Sequence, residues 1–304
     1  MTMRKFICAT TVALLLSISA NACEICGCGL GSYYIGMMPQ FSHKFIGLRY
    51  QYRRFHTVMA DDASQFSNDY YKTTELWAGW NIGKKWQLIA ILPYNIVHQV
   101  SDDGVTNNQG IGDIAVMANY KLFDLNSTRN GRAFAQQLWF GAGIKVPTGK
   151  FNVDATDPAL VAVANTQTGS ASTDFMLNAM YNVRINKLGI NTSASYKINT
   201  SNRDKYSFGN KFSAGSMVYY AAKKGAVGIM PNMGLMFENT ASNSLQKVTV
   251  AQTGGHLFSA SAGLELSYKK LTVGASVQLP LSQNFSNGQT ELKSKGMLHV
   301  TFSL

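Results

Sequence analysis

The chain has 304 residues, a formal net charge of +11 and only 14% charged residues, well below the roughly 25% of soluble domains. Its basic residues are scattered and do not cluster with aromatic residues, so the sequence argues against a nucleic-acid partner. Beyond the first 22 residues no apolar run reaches the roughly 18 residues of a membrane-spanning helix, and the content of 27 Gly, 14 Tyr and 16 Phe predicts β structure with one face in an apolar medium.

The N-terminus has the pattern of an export signal. Arg4 and Lys5 precede an apolar core from Phe6 to Ile18, and Ala20-Asn21-Ala22 forms a small-x-small cleavage site. We expect residues 1–22 to be a signal peptide, which makes Cys23 the first mature residue. Loss of the two basic residues lowers the formal net charge from +11 to +9. The alternative is a lipid attached to Cys23, although acylation signals usually carry Leu where this chain has Ala20.

Three cysteines follow the cleavage site at C-x2-C-x-C spacing: Cys23, Cys26 and Cys28. In an oxidising compartment two of them would form a disulfide and leave one thiol over. Thiolates also bind Cu(I) or Zn well, but a set of three ligands has no second half-site. The sequence leaves a disulfide, a soft-metal site and a lipid anchor open. Apart from such a soft metal ion, we expect no cofactor, and we predict that 23–41 is a short Cys-rich periplasmic segment.

From about residue 42 the chain alternates polar and apolar residues with period 2. In 113–122, for example, Ile114, Val116 and Ala118 share one face, and Asp113 and Asn119 share the other. Such segments, about 10 residues long and separated by turn residues, are typical of outer-membrane barrels, whereas strands of soluble sandwiches have roughly 5–6 residues. We predict an all-β fold over 42–304, a transmembrane antiparallel up-and-down β-barrel of about twelve strands. The strands begin near residues 42, 70, 86, 110, 133, 171, 187, 206, 224, 252, 270 and 293.

The predicted connections fall into two classes. Tight turns are expected at 83–85, 185–186, 223–225 and 269–270, with a longer connection at 124–132. Long polar stretches are expected at 57–69, 100–109, 147–170, 238–250 and 282–292. Short turns at one rim and long loops at the other are the asymmetry of outer-membrane barrels, and they put both termini on the periplasmic side. The predicted location is therefore the outer membrane of a Gram-negative bacterium.

The last strand is amphipathic. Leu298, Val300, Phe302 and Leu304 alternate with polar residues, which resembles the signal for the barrel-assembly machinery, with Leu304 in place of the usual terminal aromatic residue. The expected partners are outer-membrane lipid, that machinery and a small-molecule solute.

Alternation also assigns charged side chains to the lumen. They either pair across it, because unpaired charges are costly there, or line a polar conduit. The predicted lumen-facing charges are Arg49, Arg53, Glu75, Asp113, Lys121, Lys145, Asp174, Arg184, Lys197, Lys211 and Glu265. Met117, Met176, Met180 and Met217 fall on the same face, where thioethers fill gaps in packing or pass a soft metal such as Cu(I).

No catalytic set stands out in the sequence. It has no HExxH and no G-x-S-x-G motif. His299 with Ser303 is the one thin candidate for nucleophilic catalysis. We therefore predict that the protein is not an enzyme.

Three motifs resemble a known family. They are the G-x-G-D of Gly110, Gly112 and Asp113, the Pro147-Thr148-Gly149 loop, and a Thr168-Gly169-Ser170 segment followed by Asp174. The family has a further Gly where this chain has Gln167. Together they resemble the outer-membrane transporter barrels grouped with the phenol meta-cleavage pathway (MetA-type) proteins.

This resemblance implies uptake or efflux of small, often hydrophobic compounds, and it supplies no catalytic residues. The sequence thus predicts a channel or transporter for small molecules, hydrophobic or aromatic ones among them. The alternatives are a barrel that handles soft metals through its cysteines and a non-conducting structural barrel. Pro147 cannot donate to a strand ladder, so a strand should end there, and we expect ligand contacts in the loop that follows.

Overall fold

The computed structural model describes residues 44–60, 62, 64–129, 131–152 and 164–304. The predicted signal peptide and cysteine segment lie outside these residues. The described chain is almost entirely β structure, with one short 3-10 helix at Ser286–Gly288. The strands are β1 (Phe45–Val58), β2 (Phe66–Ile82), β3 (Trp86–Ser101), β4 (Gly104–Ile111), β5 (Ile114–Arg129), β6 (Arg132–Val146), β7 (Asp174–Ile185), β8 (Leu188–Ile198), β9 (Tyr206–Ser207), β10 (Lys211–Tyr220), β11 (Ala222–Lys224), β12 (Val227–Thr240), β13 (Ser244–Leu245), β14 (Val248–Thr249), β15 (Gly255–Tyr268), β16 (Leu271–Phe285) and β17 (Thr290–Ser303).

Twelve of these strands form a closed antiparallel barrel. Their order around the wall is β1, β2, β3, β5, β6, β7, β8, β10, β12, β15, β16 and β17. β17 pairs with β1, and β10 pairs with β12, with the short strand β11 between them in sequence. The predicted twelve-stranded up-and-down barrel is confirmed. Among the described residues, no helix is long and apolar enough to span a membrane.

Alternation along each strand separates the two faces of the wall. In β1, Phe45, Arg49 and Phe55 are buried inside, whereas Ile46 and Leu48 are exposed on the outside. The same pattern gives an outer surface of Leu, Ile and Val around the barrel. A surface of this kind is stable against hydrocarbon and not against water.

Aromatic side chains border this apolar surface near both rims. On the outer face, Trp80, Trp86 and Tyr268 lie within three residues of a tight turn, and Phe175 and Phe212 lie at the opposite ends of their strands. Trp and Tyr are favoured at the two membrane interfaces, because their rings are apolar and their edges polar. The two aromatic girdles mark the limits of the membrane-embedded part.

The two rims differ as predicted, and we call them the turn rim and the loop rim. Tight turns of two or three residues at the turn rim use positive φ angles, including 62° at Gly83, 53° at Asn186 and 61° at Gly225, as such turns require. The barrel begins and ends at this rim, where Phe45 pairs with Ser303.

Besides the stretch expected as a long loop at 282–292, where β16 continues to Phe285 and β17 begins at Thr290, two connections differ from the sequence prediction. The polar stretch at 100–109 is part of a hairpin. β4 pairs with the last part of β3, from Tyr94 to Ser101, and β5 pairs with the first part, from Trp86 to Ile91. The expected longer connection at 124–132 is a tight turn, because β5 continues to Arg129 and β6 begins at Arg132. Polar side chains in both stretches are compatible with strands that extend past the apolar part of the wall.

Two apolar clusters fill parts of the interior. One consists of Phe55, Tyr71, Val97, Leu257, Phe285 and Leu292, near the loop rim. The other consists of Phe45, Trp77, Ile89, Ile91, Trp139 and Met180. The ion pair of Arg49 with Glu75 lies on the same strands as these clusters and is equally buried. The interior is therefore partly packed.

Candidate functional site

The structure places most of the predicted lumen charges on the inner wall, in ion pairs. Arg49 pairs with Glu75, and Glu265 lies 2.9 Å from Nε2 of His299. Lys121 Nζ lies 2.8 Å from Asp124 Oδ2 near the turn rim. Arg184 differs from the others, because it is exposed at the turn-rim end of β7, beyond the enclosed part of the barrel.

Asp113 is the centre of a buried polar cluster at the loop rim. Its carboxylate accepts hydrogen bonds from Lys145 Nζ at 2.7 Å, Gly149 N at 3.0 Å and Ser170 N at 2.9 Å. The Ser170 hydroxyl donates to it as well, at 2.7 Å. One carboxylate thus ties together the loop between β4 and β5, the start of the loop after β6, and the end of that loop.

Asp174 extends this cluster across three strands. Lys145 Nζ lies 2.7 Å from Asp174 Oδ2, and Lys197 Nζ lies 3.3 Å from the same oxygen. Ser172 donates to the other oxygen at 2.8 Å. Two ammonium groups and two carboxylates therefore balance each other, as buried charges require.

Close backbone packing completes the arrangement. A Cβ on Gly149 would lie 2.6 Å from Gly169 Cα, and a Cβ on Gly169 would lie 2.5 Å from Gly149 C, so neither position has room for a side chain. The Thr148 hydroxyl donates to Gly112 O at 2.8 Å and accepts from Ile114 N at 2.9 Å. β6 ends at Val146, the position that Pro147 predicts.

The loops at this rim form a cap with its own core. Phe151, Ala164 and Tyr206 are buried against one another. Tyr206 OH accepts from Asn243 Nδ2 at 2.7 Å, and the short strands β9, β13 and β14 form a small sheet over the mouth. Residues 164–170 are all buried, so this part of the loop after β6 folds into the barrel mouth. We call 147–152, 164–173, 199–210 and 241–254 the loop cap.

A chamber lies inside the barrel on the side of β5 to β12. The centres of water molecules can occupy about 80 Å³ of it, far more than the roughly 10–15 Å³ that one water needs. One side of the chamber is apolar and sulfur-rich, and the other carries charge. The inward-facing lining residues are Met117, Asn119, Trp139, Met176, Asn178, Met180, Ser193, Ser195, Lys197, Lys211, Ser213, Met236, Glu238, Gln278 and Lys295.

An ionic bridge crosses the lumen beside this chamber. Lys211 Nζ on β10 lies 2.6 Å from Glu238 Oε2 on β12, and Lys295 on β17 bonds the other oxygen of Glu238. β17 is separated from β12 by β15 and β16 in the wall. Lys295 therefore reaches across the interior.

Trp139 separates the chamber from a second pocket at the turn rim. Its side chain lines both spaces. The turn-rim pocket is also lined by Asn81, Lys85 and Lys121. Lys121 Nζ lies 5.0 Å from the centre of the Trp139 ring, a cation–π contact. The indole is thus a shared wall between the interior and the turn rim.

A family model covers most of this barrel. The family described as "Putative MetA-pathway of phenol degradation" matches residues 55–294. This chain belongs to that family. The three motifs by which this sequence resembles the family meet at Asp113, so in this chain they form one folded cluster and not three separate loops.

One solved channel structure supports the fold of this family member. An outer membrane channel from Pseudomonas putida F1 is 15% identical, with a TM-score of 0.63 over 90% of this chain and 99% of that chain. The β domain of the Bordetella autotransporter BrkA is 12% identical, with a TM-score of 0.49 over 86% of this chain and 100% of that chain. No curated protein matches the sequence.

The location follows from the fold and the outer surface. A closed barrel with an apolar band between two aromatic girdles is the form of an outer-membrane protein. The MetA-type barrel is therefore a protein of the Gram-negative outer membrane, in contact with its lipid.

Some sequence predictions fall elsewhere or outside the described residues. Cys23, Cys26 and Cys28 lie outside them, so their disulfide, metal or lipid state stays a prediction. Among the described residues, no group of three or more His, Cys, Asp or Glu side chains is placed to hold a metal ion. The ring of His299 contacts Glu265 at 2.9 Å and Thr301 Oγ1 at 3.4 Å.

Glu238 and Lys295 are chamber residues that the sequence reasoning missed. Glu238 continues the alternation of Met230 and Met236 on β12, so a longer reading of that strand would have found it. Lys295 lies four residues before His299 on the same face of β17, and the register shift between Arg54 and Phe55 comes before it in this strand, at Lys293. Extending the alternation of the last strand back from His299 would therefore have found Lys295.

Proposed function

We propose that this MetA-type barrel is a channel for small molecules across the outer membrane. The observation that carries the proposal is the interior chamber that shares the wall formed by Trp139 with a pocket at the turn rim. A barrel whose interior served stability alone would be packed with side chains at this level. The structural neighbour from Pseudomonas putida F1 is an outer membrane channel, which supports the proposal.

The proposed path runs from the loop cap through the chamber and past Trp139 to the turn rim. Long loops face the cell exterior and short turns face the periplasm in barrels of this kind, so we assign the loop rim to the outside. The methionines and Trp139 on one side of the chamber offer an apolar surface, and thioethers contact aromatic rings favourably. Small molecules with an apolar or aromatic body are thus the proposed solutes.

The test is solute flux into proteoliposomes that contain the full chain. We expect entry of small aromatic solutes above that of protein-free vesicles. Trp139→Ala should increase the flux severalfold because it removes the wall between the two spaces. Trp80→Ala is the matched control, since Trp80 lies on the outer face and lines neither the chamber nor the turn-rim pocket.

A non-conducting structural barrel, the alternative, predicts no flux above that of protein-free vesicles. If neither the natural chain nor Trp139→Ala conducts more than protein-free vesicles, the channel proposal is wrong. A gain in flux that Trp80→Ala produces equally would also overturn the assigned path, because it would reflect leakage from a weakened barrel.

A further inference from the structure

We infer that the outer face of the turn rim carries a binding surface for the headgroups of anionic phospholipids. Its cations are Lys44, Lys85, Lys269 and Lys270, which we call the basic arc. They lie on or beside seven neighbouring strands of the wall, in the order β15, β16, β17, β1, β2, β3 and β5. This inference goes beyond the proposed channel function, because it concerns the surrounding lipid and not the solute.

Exposed charge at the turn rim is almost entirely positive. Besides the four lysines of the basic arc, six more cations are exposed there, next to one exposed acid, Asp124, among the residues that the structure describes. Asp124 already pairs with Lys121. The six other exposed cations are Lys84, Arg132, Arg184, Lys187, Lys223 and Lys224.

The loop rim differs from the turn rim in its charge. Asp62, Asp102 and Asp103 are exposed there, and Glu291 forms an exposed pair with Lys293. The loop rim therefore presents both signs, whereas the turn rim presents one. A surface with charge of a single sign attracts anions to that end of the molecule.

Two lysines of the basic arc are held against rings on the outer face of β2 and β5. Lys44 Nζ lies 4.0 Å from the centre of the Trp80 ring, a cation–π contact. Lys85 Nζ donates a hydrogen bond to Tyr120 OH at 3.2 Å. The Tyr120 ring lies 4.9 Å from that of Trp86, which belongs to the aromatic girdle. Both ammonium groups thus lie on the lipid-facing side of the wall.

The other two lysines repeat this arrangement at the turn between β15 and β16. Lys269 Nζ lies 5.4 Å from the centre of the Tyr268 ring, and Lys270 Nζ lies 5.9 Å from the centre of the Phe302 ring. Both rings are exposed on the outer face. Because β17, which carries Phe302, pairs with β1, this half of the basic arc is continuous with the half at Lys44.

The depth of these rings indicates which anion the lysines meet. Aromatic rings of a membrane girdle lie at the level of the lipid headgroups, so an ammonium held over such a ring is beside the phosphates. All four lysines are exposed, and an ammonium has three N–H donors. An acidic protein would approach the rim from its end and contact the six other cations as well. The position of the basic arc on the outer face therefore favours lipid, in the periplasmic leaflet that the short turns face.

The experiment is a lipid titration of the detergent-solubilised full chain, followed by native mass spectrometry. The probes are phosphatidylglycerol and phosphatidylcholine with the same acyl chains, and glycerophosphoglycerol, which is the headgroup without chains. We expect phosphatidylglycerol to bind about tenfold tighter than phosphatidylcholine, because basic residues near an anionic headgroup each add to the attraction. Equal affinity for the two lipids would overturn the inference. Glycerophosphoglycerol that binds as tightly as the intact lipid would overturn it too, since the surface would then be a site for a soluble phosphate ester.

A fourfold variant tests whether the basic arc is the site. The variant with Lys44→Gln, Lys85→Gln, Lys269→Gln and Lys270→Gln should lose the preference for phosphatidylglycerol, a weakening of about tenfold. Its affinity for phosphatidylcholine should stay unchanged.

The matched control removes the same charge from the same rim, outside the basic arc. It carries Arg132→Gln, Lys187→Gln, Lys223→Gln and Lys224→Gln, all at exposed positions, and it should keep most of the preference. Equal losses in the two variants would contradict the assignment, because the attraction would then come from the net charge of the rim. If the arc variant does not fold, the comparison of the two lipids on the natural chain still decides.

Polyglutamate serves as the probe for an acidic protein partner. Binding of polyglutamate to the natural chain, with no preference between the two lipids, would assign the rim to such a partner and reject the lipid surface. Phosphatidylglycerol binding that polyglutamate does not displace would support the lipid surface.

Discussion

Gly149 and Gly169 show how two residues fix a loop at the barrel mouth. Each glycine occupies the space that the other's Cβ would need, at 2.6 and 2.5 Å from backbone atoms. Gly149→Ala should destabilise the folded barrel by about 1–3 kcal/mol, as overpacking does, because backbone cannot move aside as a side chain does.

Denaturant midpoints in detergent measure this effect. Gly296→Ala serves as the control, since the nearest atom to a Cβ there is Ser276 O at 3.6 Å, an ordinary contact. Equal stability of Gly149→Ala and the natural chain would show that the two segments are not in contact in solution.

At the level of residues, the sequence predicts which side chains face the lumen, but it does not predict which of the charged ones form ion pairs with each other. Alternation places Asp113 and Lys145 on one face, but it contains no information about which cation meets which carboxylate. The pairing of Lys295 with Glu238 depends on barrel closure, which places β17 opposite β12 across the lumen. Closure is a property of the whole sheet, which no single strand encodes.

At the scale of elements, Asp113 holds the loop after β6 in the mouth. Asp113→Asn removes one charge from a buried ion pair, which costs on the order of 3–5 kcal/mol. Local opening of the loop cap should then become at least about a hundredfold more frequent. Trypsin cleavage after Lys150, which is exposed and adjacent to Gly149, should accelerate accordingly.

The measurement is the rate at which the fragment ending at Lys150 appears in limited digestion. Asp124→Asn is the control, because its pair with Lys121 lies at the other rim and is partly exposed, where ion pairs contribute about 0–1 kcal/mol. Similar cleavage rates in the two variants would mean that Asp113 does not secure this loop.

The sequence predicts the number of barrel strands, but it predicts the positions at which they begin and end less accurately. The prediction located the tight turns because Gly83 and Asn186 supply the positive φ angles that they need. It shortened β5 and treated β4 as loop, because polar residues beyond the membrane resemble loop residues. Pairing with β3 satisfies the backbone of β4, and that pairing overrides local composition.

For the whole molecule, the outer surface determines where the barrel lies in the bilayer. β16 presents Leu271, Val273, Val277, Leu279 and Leu281 to the outside, and Val277 is near the middle of this row. Arginine costs about 2–4 kcal/mol at the bilayer midplane and about 0–1 kcal/mol near the interface. Val277→Arg should therefore lower the free energy of unfolding in lipid vesicles by about 2–4 kcal/mol.

The control is Leu271→Arg, on the same face next to the turn, which should change the free energy of unfolding by no more than about 1 kcal/mol. Urea titrations in vesicles compare the two, and equal losses would show that Val277 and Leu271 lie at the same depth, against the girdle positions of Trp86 and Tyr268.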